Sequence, residues 1–138
     1  MFGHDADMPN LHRYSHHAKR ALSYAGDLAL QYGHPHIDTA HLMVGVVLTD
    51  GSIGAQVLNN LKLSEQLARV YLKRLIPSSE ISYDQRKIPE HESYHQALHL
   101  SEDESVWLGN HYIGTEHLLL GITRANVGNA IYLLKLVD

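Results

Sequence analysis

Gly33-His34-Pro35-His36-Ile37-Asp38-Thr39-Ala40-His41-Leu42-Met43-Val44-Gly45 returns 76 residues later as Gly109-Asn110-His111-Tyr112-Ile113-Gly114-Thr115-Glu116-His117-Leu118-Leu119-Leu120-Gly121. Gly33, Ile37, Thr39, His41, Leu42 and Gly45 recur unchanged, and Met43 and Val44 are replaced by residues of the same apolar character. The same offset pairs Ala21 with Ala97, Leu22 with Leu98 and Ala25 with Ser101. Self-similarity at a fixed spacing marks an internal duplication, so the chain reads as two tandem copies of one unit.

Working outward from the repeated string, each copy reads as helices. Ser15 is placed to cap a first helix in which Ala18, Ala21, Leu22, Ala25, Leu28 and Ala29 recur at helical spacing up to Gly33-His34-Pro35. A stripe of such small residues favours close helix packing. Asp38 or Thr39 caps a second helix, apolar on nearly every side over Leu42 to Leu48, which belongs in the centre of its bundle. Ile53 to Leu61 makes a third helix after the turn Asp50-Gly51-Ser52. Ser64 caps a fourth, carrying Leu67, Val70, Leu72, Leu75 and Ile76 and ended by Pro77.

The second copy supplies a helix from about His91 to Trp107, another from Thr115 and a last from about Val127. Its turn after Ile122 reads as shorter than the matching turn in the first copy, with the register slipping by two or three residues, and no counterpart of Ser64 to Ile76 follows. The prediction is one all-α domain over 1–138: two pseudo-symmetric repeats, about 13–76 and 91–138, joined by a polar linker over 77–90, with seven helices and the last helix of the second repeat missing. No alternation of apolar and polar residues signals a strand.

Composition narrows what such a domain does. A chain of 138 residues with 44% apolar and 19% charged residues supports one core. Eleven Lys and Arg against fifteen Asp and Glu leave a charge of −4, which gives no basic surplus for nucleic acid. The absence of Cys removes disulfides, thiolate metal sites and thiol nucleophiles, and fits a cytoplasmic address. No apolar run approaches a membrane span, and Asp5, Asp7 and Pro9 stand where a signal peptide would be apolar. Neither a P-loop nor a G-x-S-x-G elbow occurs, and no cofactor is called for.

Gly114 to Gly121, preceded by Asn110-His111-Tyr112-Ile113, resembles the signature of the Clp N-terminal (Clp R) repeat. That repeat occurs twice in the domain preceding the ATPase modules of ClpC- and ClpA-type unfoldases, and in free-standing ClpT-like accessory proteins. The likeness runs from about Arg13 to the end of the chain, with Gly33 to Leu42 as a divergent first copy, and Met1-Phe2-Gly3 resembles how such proteins begin. It implies an all-α domain that binds substrates or adaptors and passes them to Clp-type unfoldase and protease components. In ClpC-like members it further implies that each repeat holds a phosphorylated arginine, the Glu of the Gly-Thr-Glu-His string taking the guanidinium. Glu116 matches that Glu and Thr115 the Thr beside it. Ile113 and Thr39 complete the candidate set. In the first copy the Glu position is Ala40, which implies that one of the two sites is lost.

The residues themselves leave two roles open to Glu116. At the start of a helix, unpaired N–H groups and the helix dipole favour an anion, so a phosphoryl group could meet the N–H groups while Glu116 takes a forked pair of guanidinium donors. Alternatively Glu116 only stabilises its own helix start, worth about 0.3–1 kcal/mol. His41 and His117, at matched places, read as buried hydrogen-bond partners.

One enzymatic pattern competes. His91-Glu92-Ser93-Tyr94-His95 satisfies H-E-x-x-H, and His99 extends that face, which is the spacing of a zinc metalloenzyme with Glu as general base. The repeat alignment places it at an exposed helix start, matching Ser15 through Lys19, so no metal is assigned. A third reading is a pure protein-interaction module that has lost ligand binding. An apolar face left open by the missing helix would then be covered by a homodimer or a larger partner.

Overall fold

The computed structural model describes residues 11–78 and 88–136, with the side chain of Leu136 excepted. Seven α-helices follow a short 3-10 turn at Leu11–Arg13: α1 His16–Gln31, α2 Thr39–Leu48, α3 Ile53–Asn60, α4 Glu65–Leu75, α5 Glu92–Trp107, α6 Thr115–Ala125 and α7 Ala130–Leu136. No strand occurs among the described residues. The helix starts are capped as their sequences dictate. The hydroxyls of Ser15, Ser52 and Ser64 accept from Ala18, Ala55 and Leu67 N–H groups, and Asp38 caps α2. At the other end, α1 stops where Gly33 takes φ 65, which an L side chain resists.

The small-residue stripe has its reason in the crossing of α1 over α2. A Cβ on Gly45 would fall against Ala21 O and Ala25 N, so only glycine lets the backbones approach this closely. The duplicate crossing of α5 over α6 is built alike, Gly121 lying on Ala97 O and Ser101. These two helix pairs make the most extensive contacts in the fold. Every residue of α2 from Thr39 to Val46 is buried, as expected of a central helix.

The two repeats are joined by reciprocal contacts. Ahead of α1, Ser15 N–H donates to Ile113 O at 2.9 Å and Arg13 O accepts from Ile113 N–H at 2.7 Å. Ahead of α5, His91 N–H donates to Ile37 O at 2.8 Å and Pro89 O accepts from Ile37 N–H at 2.9 Å. These short parallel bridges are images of each other at the offset of the repeat, and each links the lead-in of one copy to the loop of the other. The end of the expected 77–90 linker is thus a fixed part of the fold, with Ile88 buried, while residues 79–87 lie outside the described ones.

Two expectations are corrected. Gly54 N–H donates to Thr115 Oγ1 at 2.8 Å, and Ala130 N–H donates to Thr39 Oγ1 at 3.2 Å. Gly54 and Ala130 therefore stand at the same offset as Thr39 and Thr115, so the turn after Ile122 is full length and the register does not slip. Val70, expected on the core face of α4, is exposed, and Ala68 takes the buried place beside Leu72. No helix among the described residues stands on the second repeat as α4 stands on the first.

Candidate functional site

Thr39, Ile113, Thr115 and Glu116 lie around the two places where the start of a second helix in one repeat meets the start of a third helix in the other. Three of the four are turned inward. Ile113 is buried and both its backbone groups are engaged by Arg13 and Ser15. Thr39 and Thr115 are buried, and each spends its hydroxyl on the first turn of α7 or α3. Glu116 alone reaches the surface. It is half-buried and folds back over Gly114, where a Cβ would collide with its Oε1. Its Oε2 accepts from Tyr112 O–H at 3.0 Å, and this hydrogen bond is the main cause of a raised phenol pKa.

The two helix-start sites differ in what fills them. In the first repeat, Asp38 Oδ1 accepts from Ala40 N–H and Asn129 N–H, both at 2.9 Å, and Oδ2 accepts from Asn129 Nδ2 at 3.1 Å. One buried carboxylate thus satisfies the starts of both α2 and α7. In the second repeat the residue in Asp38's place is Gly114, and the equivalent N–H groups belong to Glu116 and Ile53. Among the described residues no acceptor meets either of them. Asp38 shows where an anionic oxygen sits at such a junction; over Gly114 the space of that side chain is taken by the folded-back Glu116 carboxylate.

Beneath each site a histidine fixes the loop. His41 Nδ1 accepts from Asp38 N–H and His117 Nδ1 from Gly114 N–H, both at 2.8 Å. Each ring must then carry its proton on Nε2. His117 Nε2 donates to Asn110 Oδ1 at 2.8 Å, and His41 Nε2 donates to His34 Nδ1 at 2.7 Å. Burial holds His41 down to about 4, and it lowers His34 and His117 as well. Both rings of the matched pair are fully buried, in keeping with a structural part.

The H-E-x-x-H residues do not converge. His91 caps α5, its Nδ1 accepting from Ser93 N–H at 3.1 Å in the place Ser15 holds on α1. His95 Nε2 lies 3.1 Å from Glu90 Oε1, and His99 is exposed on the helix surface. No three His, Asp or Glu side chains among the described residues form a metal-binding group. Sequence reasoning missed Tyr112 as the partner of Glu116, for which the four-residue spacing was the available signal. It also missed Asp38 as a bridge to Asn129, which rests on a contact 91 residues long.

The family model of the Clp repeat (R) N-terminal domain matches residues 13–137. The negative regulator of genetic competence ClpC/MecB of Bacillus subtilis is 33% identical over 124 residues, covering 89% of this chain and 15% of that protein. Chaperone protein ClpB of Oceanobacillus iheyensis is 32% identical over 128 residues, again covering 89% and 15%. The chain thus spans about 15% of the length of these relatives. The crystal structure of the N-terminal domain of the caseinolytic protease associated chaperone ClpD from Arabidopsis thaliana superposes with a TM-score of 0.75 at 20% identity, covering 92% of this chain and 86% of that one. At that identity the likeness is one of fold.

Proposed function

The chain belongs to the Clp repeat (R) N-terminal domain family, and from that premise we propose that it is a non-catalytic docking domain. It receives substrate or adaptor proteins for a Clp-type unfoldase and protease, as part of the ring or as an accessory to it. Its ligand-binding residue is Glu116, with Thr115, Ile113 and Thr39 holding the junction in shape. The ligand class is a phosphorylated arginine on a marked protein.

One observation carries this reading: the junction of α2 and α7 is filled by the Asp38 carboxylate, whereas the junction of α6 and α3 carries Gly114 and leaves the Glu116 and Ile53 N–H groups without an acceptor. With the Glu116 side chain swung off Gly114, a phosphoryl oxygen in the place of the Asp38 oxygen would meet two helix starts. The Glu116 carboxylate beside it is an acceptor for guanidinium donors. The first repeat cannot repeat this, since Ala40 replaces Glu and Asp38 already occupies the anion position.

Calorimetric titration of free phosphoarginine tests the assignment. The wild-type chain is expected to bind saturably at one site, and Glu116→Ala to weaken binding about 10- to 100-fold, the worth of a charged hydrogen bond. Its melting temperature should fall only by what a helix-start carboxylate contributes, about 0.3–1 kcal/mol of stability, with the fold retained. Equal binding by wild type and variant, or none by either, overturns it.

A further inference from the structure

In the second repeat the space over Gly114 is filled by side chains of its neighbours. A Cβ built there would collide with Glu116 Oε1 and lie 3.0 Å from Tyr112 Cε2, so carboxylate and phenol ring together cover the spot that the Asp38 side chain takes in the first repeat. The two fillings are held differently. Asp38 belongs to the loop itself and is 6% exposed, and its oxygens accept from Ala40 N–H, Asn129 N–H and Asn129 Nδ2. The Glu116 carboxylate reaches back from two residues further on and accepts from neither the Glu116 nor the Ile53 N–H. Its one hydrogen bond among the described residues comes from Tyr112 O–H, at 3.0 Å and exposed. The images of Tyr112 and Glu116 in the first repeat are His36 and Ala40, which have no carboxylate between them.

A filling that covers an anion position without using its donors is displaceable, and charge decides what displaces it. A bare phosphate must drive off the Glu116 carboxylate, break its bond to Tyr112 and then lie beside a second negative charge, which costs affinity. A phosphoryl group carried on a guanidinium brings N–H donors for the carboxylate it displaces, and a charged, forked partner then replaces the Tyr112 hydroxyl. We propose that Glu116, held over Gly114 by Tyr112, is a displaceable plug that sets the specificity of the α6 and α3 junction. It closes the junction to phosphate alone and yields to phosphate joined to a guanidinium. Tyr112 acts through Glu116 and is a positioning residue; its ring is held apart from its hydroxyl, edge-on to the buried His117 ring with centroids 5.3 Å apart. The proposal rests on the phosphoarginine reading above for its ligand and on the Tyr112 and Glu116 geometry for the plug.

Inorganic phosphate and phosphoarginine are titrated separately into the 138-residue chain, with the amide chemical shifts of Ile53 and Glu116 as the readout and circular dichroism as the check on folding. Glu116→Ala should act with opposite signs on the two ligands, tightening phosphate about tenfold while weakening phosphoarginine about 10- to 100-fold. Tyr112→Phe keeps the ring on His117 and removes only the hydroxyl. It should tighten both ligands by the same factor, about threefold to tenfold, because each must break that bond to enter. A tyrosine that merely shaped the loop would weaken binding when altered. Phosphate that binds Glu116→Ala no tighter than wild type, or Tyr112→Phe that tightens neither ligand, overturns the plug. A chain in which phosphoarginine binding depends on Glu116 but phosphate binding does not loses the plug alone. One in which phosphate tightens in both variants but phosphoarginine binds none of the three proteins loses the ligand assignment and keeps the closure to bare phosphate.

Discussion

His34 and His41 form a chain of two buried imidazoles with one usable proton arrangement. His41 must accept at Nδ1 and donate at Nε2; His34 then accepts at Nδ1, and its buried Nε2 has only the Ile76 backbone nearby among the described residues, beyond full hydrogen-bond geometry. A further proton on either ring would set two N–H groups against each other or cost the bond from Asp38. The folded state therefore resists protonation, while the unfolded chain takes protons near 6.5. Stability is full above that value and falls as pH drops through it towards about 4. Between pH 7 and 5, His41 alone should remove roughly 2 kcal/mol, measured by urea denaturation at the two values. His34→Asn installs the arrangement that Asn110 gives His117 and should make the loss smaller. Denaturation midpoints that stay level from pH 7 to 5 would refute this.

At the scale of elements, the crossings set the limits. Gly45 and Gly121 lie on the backbones of α1 and α5, so a methyl group at either has no room. Gly45→Ala gains up to about 1 kcal/mol of helix propensity but must push two backbones apart, and overpacking of this kind costs about 1–3 kcal/mol. The expected net effect is a lower melting temperature. Gly26→Ala is the control, because its Cβ would meet only Ile37 Cδ1 at 3.9 Å; it should raise stability by about 0.5–1 kcal/mol. If both substitutions move melting in the same direction, the close crossing is not what Gly45 provides.

Much of this level could be read from residue types. Ser15, Asp38 and Ser64 announce three helix starts, and the alanines of α1 announce its close face; Ser52, read only as part of a turn, caps α3 as well. Residue type alone favours Val70 over Ala68 for the core, but both lie within one turn and the choice depends on how α4 is rotated on α2. At the candidate site, Glu116 and His117 were legible from their string. The inward turn of Thr39 and Thr115 was not, since the groups they accept from lie in the opposite repeat. The supposed register slip had the same cause: only the Thr39 and Thr115 hydrogen bonds reveal that the turn before α7 is full length.

At the scale of the molecule, the halves hold each other. The core is shared, with Leu58, Leu63 and Leu72 of the first repeat and Leu118, Ile122 and Leu133 of the second in one cluster. Chains comprising residues 11–78 and 88–138, made separately, should each show little helix by circular dichroism and recover it when mixed. Full helicity in either half alone would contradict the shared core.

The bridges by which Arg13–Ser15 grips Ile113 and Pro89–His91 grips Ile37 also change what the stretch between the halves is for. Since both lead-ins cross over, the arrangement is that of two subunits exchanging arms, and the connection acts as a tether that supplies effective concentration. Its length, rather than its sequence, then decides between closure within one chain and exchange between two. Shortened until it no longer spans, it would favour interlocked pairing of two chains over closure within one.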